Sequence, residues 1–360
     1  MGALYNSENP GILRWMHYFK PMFRQRALPF CLLLALAPGA LAVGKDWPQW
    51  RGPNRDGIST ETGLLKEWRS DGPPLAWRTK GLGRGMSSVD IANGRIFTQG
   101  AANKNGQRGV FVTALNPADG KEIWSTAITT GREPQPNGTP TIDGQLLFAV
   151  GNDGDVACLE TETGKLVWKK NFGSDFGGKC MSSWGYNKIA NGTADIPTPL
   201  VKGDYVFGSS GYGDGGSAPI KLSKAGDGVK AEEVYYLSAN QLQNHHGGMI
   251  LLGDHIYMGH GHNNGFPTCV EFLTGKVVWG KERGPGTGSA AIVYADGHLY
   301  FRYQDATMAL IEATTKGYKL KSSFQLASKL GESWPHPVIL DGKLYVRDQD
   351  VLLCYDVRAR

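Results

Sequence analysis

Short apolar stretches separated by glycine-containing turns run along most of the chain. Leu166-Val-Trp168 and Ile256-Tyr-Met258 are two of them, and their length and composition fit β-strands that are half or wholly buried between packed sheets. The pattern therefore predicts many short strands, and the arrangement of those strands depends on whether the pattern repeats.

It does repeat, and the first marker is a turn glycine followed three or four residues later by an aromatic residue. This marker occurs six times, at spacings of 50, 59, 50, 44 and 45 residues. The six pairs are Gly94 with Phe97, Gly144 with Phe148, Gly203 with Phe207, Gly253 with Tyr257, Gly297 with Tyr300, and Gly342 with Tyr345.

The second marker follows about 25 residues later and is a turn leading into a strand that ends in tryptophan. It is Asp-Gly-Lys-Glu-Ile-Trp124 in one copy and Thr-Gly-Lys-x-x-Trp at Trp168 and Trp279. Each repeat therefore predicts four short strands, and a four-stranded unit of this length is typical of a β-propeller blade.

The number of blades follows from the two ends of the pattern. Trp77 precedes the first turn glycine, whereas the last unit lacks an outer strand, so a strand within residues 73–80 is expected to complete the last blade. We predict an all-β, six-bladed propeller, and a seventh blade would have to lie within residues 169–197. The outer strands are expected at Trp77, Trp124, Trp168, Tyr236, Trp279 and residues 318–325.

The first 42 residues have the features of a leader and signal peptide. Arg24 and Arg26 form a basic region, an apolar run too short to anchor in a bilayer follows, and Ala40-Leu-Ala42 is a small-x-small cleavage site. We expect cleavage after Ala42 and export to the periplasm or the outside of the cell. Residues 43–72 would form an N-terminal extension, and residues 73–360 the propeller.

Composition agrees with this organisation. Gly accounts for 50 of 360 residues, beside 10 Trp and 14 Tyr, which suits strands joined by tight turns. Removing residues 1–42 lowers the formal charge from +5 to +2, so nothing suggests a nucleic-acid or anionic-membrane partner. No later stretch has transmembrane length, and we expect a monomer that does not span a membrane.

Cysteine positions follow the repeat rather than a disulfide pattern. Cys158, Cys269 and Cys354 occupy one repeat position, which holds Ala114 and Ala309 in other copies. Equivalent positions in different blades are too far apart to bridge, so we interpret these cysteines as small buried core residues.

The Asp/Thr-Gly-Lys-x-x-Trp turns resemble the pyrroloquinoline-quinone-like (PQQ-like) propeller repeats. Quinoprotein alcohol dehydrogenases share these repeats with BamB, the propeller component of the outer-membrane assembly machinery. The opening Asp46-Trp-Pro-Gln-Trp-Arg-Gly-Pro-Asn-Arg-Asp-Gly57 also resembles the start of exported bacterial proteins of this group. The resemblance covers residues 46–360 and implies a propeller with a protein or glycan partner in the cell envelope.

The same resemblance makes PQQ with calcium a possible cofactor. The larger quinoprotein dehydrogenases carry an adjacent cysteine pair against the quinone, and this sequence has no adjacent cysteines. Their calcium ligands also have no counterpart here, so the resemblance does not carry PQQ binding across to this chain.

Candidate binding residues lie where segments enter the first strand of a blade, because propeller ligands usually bind where these mouths converge. His245 and His246 enter one such strand, and Trp334 and His336 enter another. His260 and His262 are separated by one residue, a spacing that could place two metal ligands on one face of a strand, although the flanking glycines favour a loop.

Further candidates are charged or lie in an insertion. Arg302 and Arg347 occupy equivalent places in neighbouring blades, where they could clamp an anionic group or form ion pairs with nearby aspartates. Trp184 and Tyr186 lie in the longest departure from the repeat and could stack on a ring or pack the loop.

Two functions remain open from the sequence. One is a binding or assembly module for a protein or glycan at the channel mouth. The other is an oxidoreductase, quinoprotein-type or metal-assisted, in which a channel histidine removes a hydroxyl proton. Convergence of His246, His262, His336, Arg302 and Arg347 on one pocket would favour the enzyme.

Overall fold

The computed structural model describes residues 46–178, 193–212 and 215–359, and all regular structure in these ranges is β. The predicted cleavage site after Ala42 lies outside the described residues, as do Cys180, Trp184 and Tyr186. No helix in the described ranges is long and apolar enough to cross a membrane.

The described residues form six antiparallel sheets of four strands each, one of which has an additional two-residue strand. Blades one to three contain β2 (Asp90–Ala92), β3 (Arg95–Lys104), β4 (Gln107–Leu115) and β5 (Glu122–Thr130); β6 (Thr141–Asp143), β7 (Leu146–Val150), β8 (Asp155–Glu160) and β9 (Leu166–Asn171); and β10 (Leu200–Lys202), β11 (Tyr205–Ser210), β12 (Gly216–Ala225), β13 (Gly228–Glu233) and the short β14 (Leu237–Ser238). Blades four to six contain β15 (Met249–Leu252), β16 (His255–His260), β17 (Phe266–Glu271) and β18 (Val277–Trp279); β19 (Ala290–Ala295), β20 (His298–Tyr303), β21 (Thr307–Glu312) and β22 (Leu320–Gln325); and β23 (Val338–Leu340), β24 (Lys343–Asp348) and β25 (Val351–Asp356) with β1 (Leu75–Lys80). The predicted six-bladed propeller is confirmed.

The last blade is completed by the first strand of the chain. β1 pairs antiparallel with β25 and becomes the outer strand of a sheet ordered β1-β25-β24-β23. Trp77 lies opposite Cys354 in this pairing. The predicted N-terminal completion of the sixth blade is therefore confirmed, and it pairs an edge that β25 would otherwise expose.

In four of the six sheets the two sequence markers meet through the small residue between them. In the first blade Ala114 pairs with Phe97 on one side and with Trp124 on the other, and the two rings lie 5.9 Å apart. Cys269 holds the same register between Tyr257 and Trp279. A larger side chain would fill the space over which the two rings approach. Cys158, Cys269 and Cys354 are free and buried, as predicted.

The outer tryptophan of one blade contacts the marker turn of the next. Trp124 donates its indole N–H to the carbonyl of Thr161 at 3.1 Å, and its ring covers Gly164, whose positive φ and lack of a side chain permit this approach. The prediction that Tyr236 plays this part in the third blade is wrong. The outer strand there is β13, and Tyr235 makes the contact, with its hydroxyl donating to the carbonyl of Phe272 at 2.8 Å.

Residues 46–64, which we call the channel segment, run along the first strands of the blades. Trp47 exchanges two main-chain hydrogen bonds with Ile91, and Ile142 donates to the carbonyl of Pro48 at 2.8 Å. The segment then returns past Tyr294, with which Gly57 and Ser59 bond. These contacts lie on the first strands of blades one, two and five, so the segment occupies the centre of the propeller.

Candidate functional site

In each antiparallel blade the first strand begins, and the second strand ends, at the same end of the sheet. We call this end of the propeller the loop mouth. Blades three to six place seven ring-bearing or hydroxyl side chains there, and they come from the segments entering β15, β19 and β23 and from the turns leaving β11 and β16. They are Tyr212, His245, His246, His262, Ser289, Trp334 and His336.

Two glycines fix the path of the segment that carries the paired histidines. A side chain at Gly247 would collide with the carbonyl of Ala290 in the next blade, and one at Gly248 would collide with Arg51 and His336. Gly248 also has a φ of +65°, which favours glycine. The segment therefore passes close to its neighbours, and His245 and His246 are held against the fifth and sixth blades.

Four aromatic rings form a continuous stack at the loop mouth. Trp334 lies 4.1 Å from His246, His246 lies 3.5 Å from His245, and His245 lies 4.2 Å from His262, measured between ring centroids. The interplanar angles along this ring stack are 25°, 36° and 29°. Three of the predicted histidines and the predicted tryptophan are thus brought together, although 89 residues separate His245 from Trp334.

Hydrogen bonds link the middle of the ring stack to Tyr212 and Ser289. The Tyr212 hydroxyl lies 3.0 Å from Nε2 of His246, and the Ser289 hydroxyl lies 3.3 Å from Nδ1 of His246 and 2.7 Å from Nδ1 of His245. Two opposite assignments of protons satisfy all three contacts: the donors run from Tyr212 through His246 and Ser289 to His245, or in the reverse direction.

Either assignment leaves Nε2 of His245 without a partner, as a donor in the first case and as an acceptor in the second. His245 is 6% exposed, and its Nε2 has no hydrogen-bond partner among the described residues. A buried polar atom without a partner costs free energy, so a ligand that supplied a hydrogen-bonding group to this nitrogen would gain affinity.

Burial keeps the histidines of the mouth neutral. Desolvation, followed by the charge of neighbouring imidazoles, lowers the pKa of His245 to about 3 and that of His246 to about 4. Desolvation, followed by the charge of Arg51, lowers the pKa of His336 to about 3. At neutral pH the site therefore offers uncharged rings that both donate and accept hydrogen bonds.

The channel segment closes the mouth from behind. The indole of Trp50 lies 4.5 Å from the ring of His336, and Nε2 of His336 lies 3.2 Å from the carbonyl of His246. Next to them, buried Arg51 donates to the carbonyls of Met249 and Asp56. These contacts place the channel segment directly against the residues of the mouth.

The two predicted arginines do not join the ring stack. Arg347 is buried between the last and first blades, where its guanidinium donates to the carbonyls of Gly83, Ser87, Gln99 and Gln349 and to the hydroxyl of Thr98. Every one of its nitrogens is occupied by these bonds.

Arg302 lies between the fifth and sixth blades and pairs with Asp348 at 3.4 Å, both side chains being 1% exposed. This is one of the ion pairs that the sequence left open. Desolvation lowers the pKa of both arginines to about 10, and each stays charged at neutral pH.

His260 and His262 do not form a shared metal site. β16 ends at His260, whose Nδ1 accepts the main-chain N–H of Gln243 at 3.2 Å. The chain turns at Gly261, so His262 leaves the strand face and stacks on His245. Among the described residues, no group of three or more His, Cys, Asp or Glu side chains is arranged to hold a metal ion.

PQQ with calcium makes specific demands on its binding residues. The quinone carries carboxylates and would need cationic partners and oxygen ligands for the ion. Arg302 and Arg347 are each 1% exposed and lie in the interior between blades, and the rings nearest the mouth are neutral. The described residues of the mouth therefore do not fit this cofactor.

Tyr212 and Ser289 were missed by the sequence analysis, and a signal for Tyr212 existed. Tyr212 stands two residues after the end of β11, and His262 stands two residues after the end of β16. Aligning the blades at the ends of their second strands would have placed the two rings at the same mouth. Ser289 has no such signal, since serine is common in turns.

Comparison with known proteins places these features in a wider group. The family model described as outer membrane protein assembly factor BamB matches residues 58–281. No curated protein matches the chain.

Among solved structures, BamB from Moraxella catarrhalis is 13% identical over 79% of this chain and 87% of that chain, with a TM-score of 0.35. A europium-containing methanol dehydrogenase is 13% identical over 84% and 69%, with a TM-score of 0.36. A quinohemoprotein alcohol dehydrogenase from Pseudomonas putida HK5 is 16% identical over 79% of this chain and 48% of that chain, with a TM-score of 0.30.

Proposed function

The chain belongs to the family of the outer membrane protein assembly factor BamB, and we propose that it is a binding module of the cell envelope whose ligand seats on the ring stack at the loop mouth. The envelope location follows the family description and the expected signal peptide. The position of the ligand site follows from the geometry of this chain's own residues.

The binding site rests on Nε2 of His245, which has no hydrogen-bond partner among the described residues. This ring belongs to a four-ring stack that is held in place by Tyr212 and Ser289 and backed by Trp50. Ring faces and a few fixed polar groups in a concave site are the usual composition of a ligand-binding mouth. A ligand that supplies a hydrogen-bonding group to His245 and a flat face to the rings would satisfy both features.

The oxidoreductase alternative has less support. It needed Arg302 and Arg347 to converge with the histidines, and neither joins the ring stack: Arg347 is bonded between the last and first blades, and Arg302 faces Asp348. It retains one favourable feature, because His246 is neutral and its Nε2 lies 3.0 Å from the Tyr212 hydroxyl, within reach of proton exchange. No oxidation step is derived from this contact.

Thermal unfolding with a ligand panel tests the proposal. The panel contains neutral oligosaccharides, acidic oligosaccharides, extended peptides, and PQQ with calcium. The wild type is compared with Trp334→Ala and His246→Ala, and His255→Ala, on the second strand of the same blade, is the matched control. A ligand at about one hundred times its Kd should stabilise the folded state by roughly 2.7 kcal/mol.

We expect one class to raise Tm in the wild type and the control, and to leave the two mouth variants unchanged. If no class shifts the wild type, or if the shift survives in both variants, the mouth is not the binding site. A shift by PQQ with calcium that His246→Ala abolishes would favour the oxidoreductase instead. Circular dichroism shows whether each variant keeps its β-sheet content.

A further inference from the structure

A polar groove adjoins the ring stack on the side of the fifth and sixth blades. It has a volume of about 510 Å³ and opens to solvent at the loop mouth. Two hydrogen bonds connect it to the stack: the Trp334 indole donates to Oε1 of Gln304 at 2.9 Å, and the main chain of Ser289 donates to Oδ1 of Asn263 at 3.1 Å. The groove and the ring stack thus form one continuous surface.

These two bonds decide which atoms the amides present to a ligand. Both amide oxygens are already acceptors inside the protein, so the NH₂ groups of Asn263 and Gln304 are the atoms left to face the groove. No described residue accepts from either NH₂ group. The groove therefore presents two orientationally fixed hydrogen-bond donors beside the partly buried indole of Trp334.

The charges of the groove are mixed and sum to a small negative value. Asp305, Lys329 and Glu332 line it, which gives a formal charge of −1. Asp305 accepts from the main-chain N–H of Thr287 and of Thr307, so its carboxylate is bound to the turn that carries it. Exposed Glu332 is left as an acceptor and Lys329 as a further donor.

A ligand must then accept from the amides, donate to a carboxylate and carry no large negative charge. The residues lining the groove are all polar or glycine, so it has no apolar pocket for a peptide side chain, on which peptide specificity usually depends. Sugar hydroxyls both donate and accept, and the carbon–hydrogen face of a sugar ring packs on an indole.

We infer that the groove lined by Asn263, Gln304 and Glu332 binds an uncharged glycan, one ring of which reaches Trp334 and the ring stack. This inference rests on the proposed function, because it names the ligand class of the same mouth. The negative formal charge of the groove disfavours polyanionic glycans of the same length by repulsion.

Calorimetric titration of the full chain tests this assignment with defined probes. The neutral probes are cellohexaose, mannohexaose, maltohexaose and N-acetylchitohexaose, and the acidic probe is hexagalacturonate. We expect at least one neutral probe to bind and hexagalacturonate to bind about tenfold more weakly or not at all. Asn263→Ala and Gln304→Ala should each weaken the neutral probe about threefold to tenfold, the effect of one net hydrogen bond.

Two further variants make the result specific. Gln145→Ala removes an exposed amide from a first-to-second-strand turn at the opposite end of the propeller, and it should bind as the wild type does. Glu332→Gln brings the formal charge of the groove to zero, and it should strengthen hexagalacturonate binding relative to the neutral probe.

Absence of binding by every neutral probe up to about 10 mM, or tighter binding of hexagalacturonate, overturns the glycan assignment. If a peptide binds instead and Trp334→Ala abolishes that binding, the assignment fails while the proposed function stands. If no ligand class binds at the mouth, both fail together.

Discussion

The indole of Trp50 lies 4.5 Å from the imidazole of His336, a contact between the channel segment and the segment entering the last blade. It joins residues that are 286 positions apart in the sequence. Through it, the part of the chain that precedes the first strand of the propeller supports the site formed by blades three to six. The channel segment is therefore expected to contribute to stability as a core element does.

Trp47→Ala tests this contribution. Trp47 is 3% exposed and belongs to the core cluster shared by the first, fifth and last blades. We expect the substitution to lower the free energy of unfolding by about 3 to 5 kcal/mol, because it leaves a large cavity. Trp168→Ala is the control: Trp168 is 41% exposed, and its loss should cost about 1 kcal/mol. Urea unfolding measures both, and equal costs would contradict a core role for the channel segment.

Arg347 is expected to stabilise the junction of the last and first blades, rather than to bind a ligand. Lysine cannot reproduce the planar set of donors that reaches four carbonyls, so Arg347→Lys should lower the free energy of unfolding by about 3 kcal/mol. Arg302→Lys keeps a cation opposite Asp348 and should cost less than Arg347→Lys, because Arg302 forms one ion pair where Arg347 forms five hydrogen bonds. Guanidinium unfolding compares the two, and an unchanged midpoint for Arg347→Lys would show that its hydrogen bonds contribute little.

Stability should fall in mild acid because of the buried histidines. The pKa of His336 is about 3 in the folded chain, whereas the ordinary value for an exposed histidine is 6.5. Between pH 3 and pH 6.5 the unfolded chain therefore binds a proton at this residue that the folded chain does not. Unfolding is therefore favoured as pH falls below 6.5, by about 1.4 kcal/mol per pH unit for each such histidine. The stability is fully present above pH 6.5 and is lost as the pH approaches 3.

His336→Gln isolates this contribution. Its free energy of unfolding should depend less on pH between pH 6 and pH 5 than that of the wild type, by about 1.4 kcal/mol per unit. His255→Gln, on the rim of blade four, serves as the control for losing a histidine. Identical slopes for His336→Gln and the wild type would mean that His336 is not neutral in the folded state.

The small residue between the two rings of the fourth blade should resist enlargement. Cys269 is fully buried and lies in register between Tyr257 and Trp279. Cys269→Leu should lower the free energy of unfolding by about 1 to 3 kcal/mol through overpacking. Cys269→Ala, which matches the residue found at positions 114 and 309, should cost about 1 kcal/mol. Thermal unfolding measures both, and a leucine variant as stable as the alanine variant would contradict the packing argument.

The sequence by itself determined the blades. A turn glycine followed by an aromatic residue recurs in all six units, a small alanine or cysteine in five of them and a tryptophan in four, and apart from Trp77 these residues act over short distances along the chain. Because the glycine and the aromatic residue recur in every blade, their spacing, together with the position of Trp77, was enough to predict six blades and the completion of the last by β1. The pattern failed only where the third blade lengthens its strands, and there Tyr235 replaces the expected Tyr236.

Tertiary structure alone decided the site. His246 and Trp334 stack, Ser289 bridges His245 and His246, and Trp50 backs His336, yet these partners come from different blades and from the channel segment. Equivalent arginines also acquired different partners, since Arg347 lies at the junction with the first blade and Arg302 at the junction with the last. Closing the propeller brings together residues that are far apart in the chain, and no local spacing records which of them will meet.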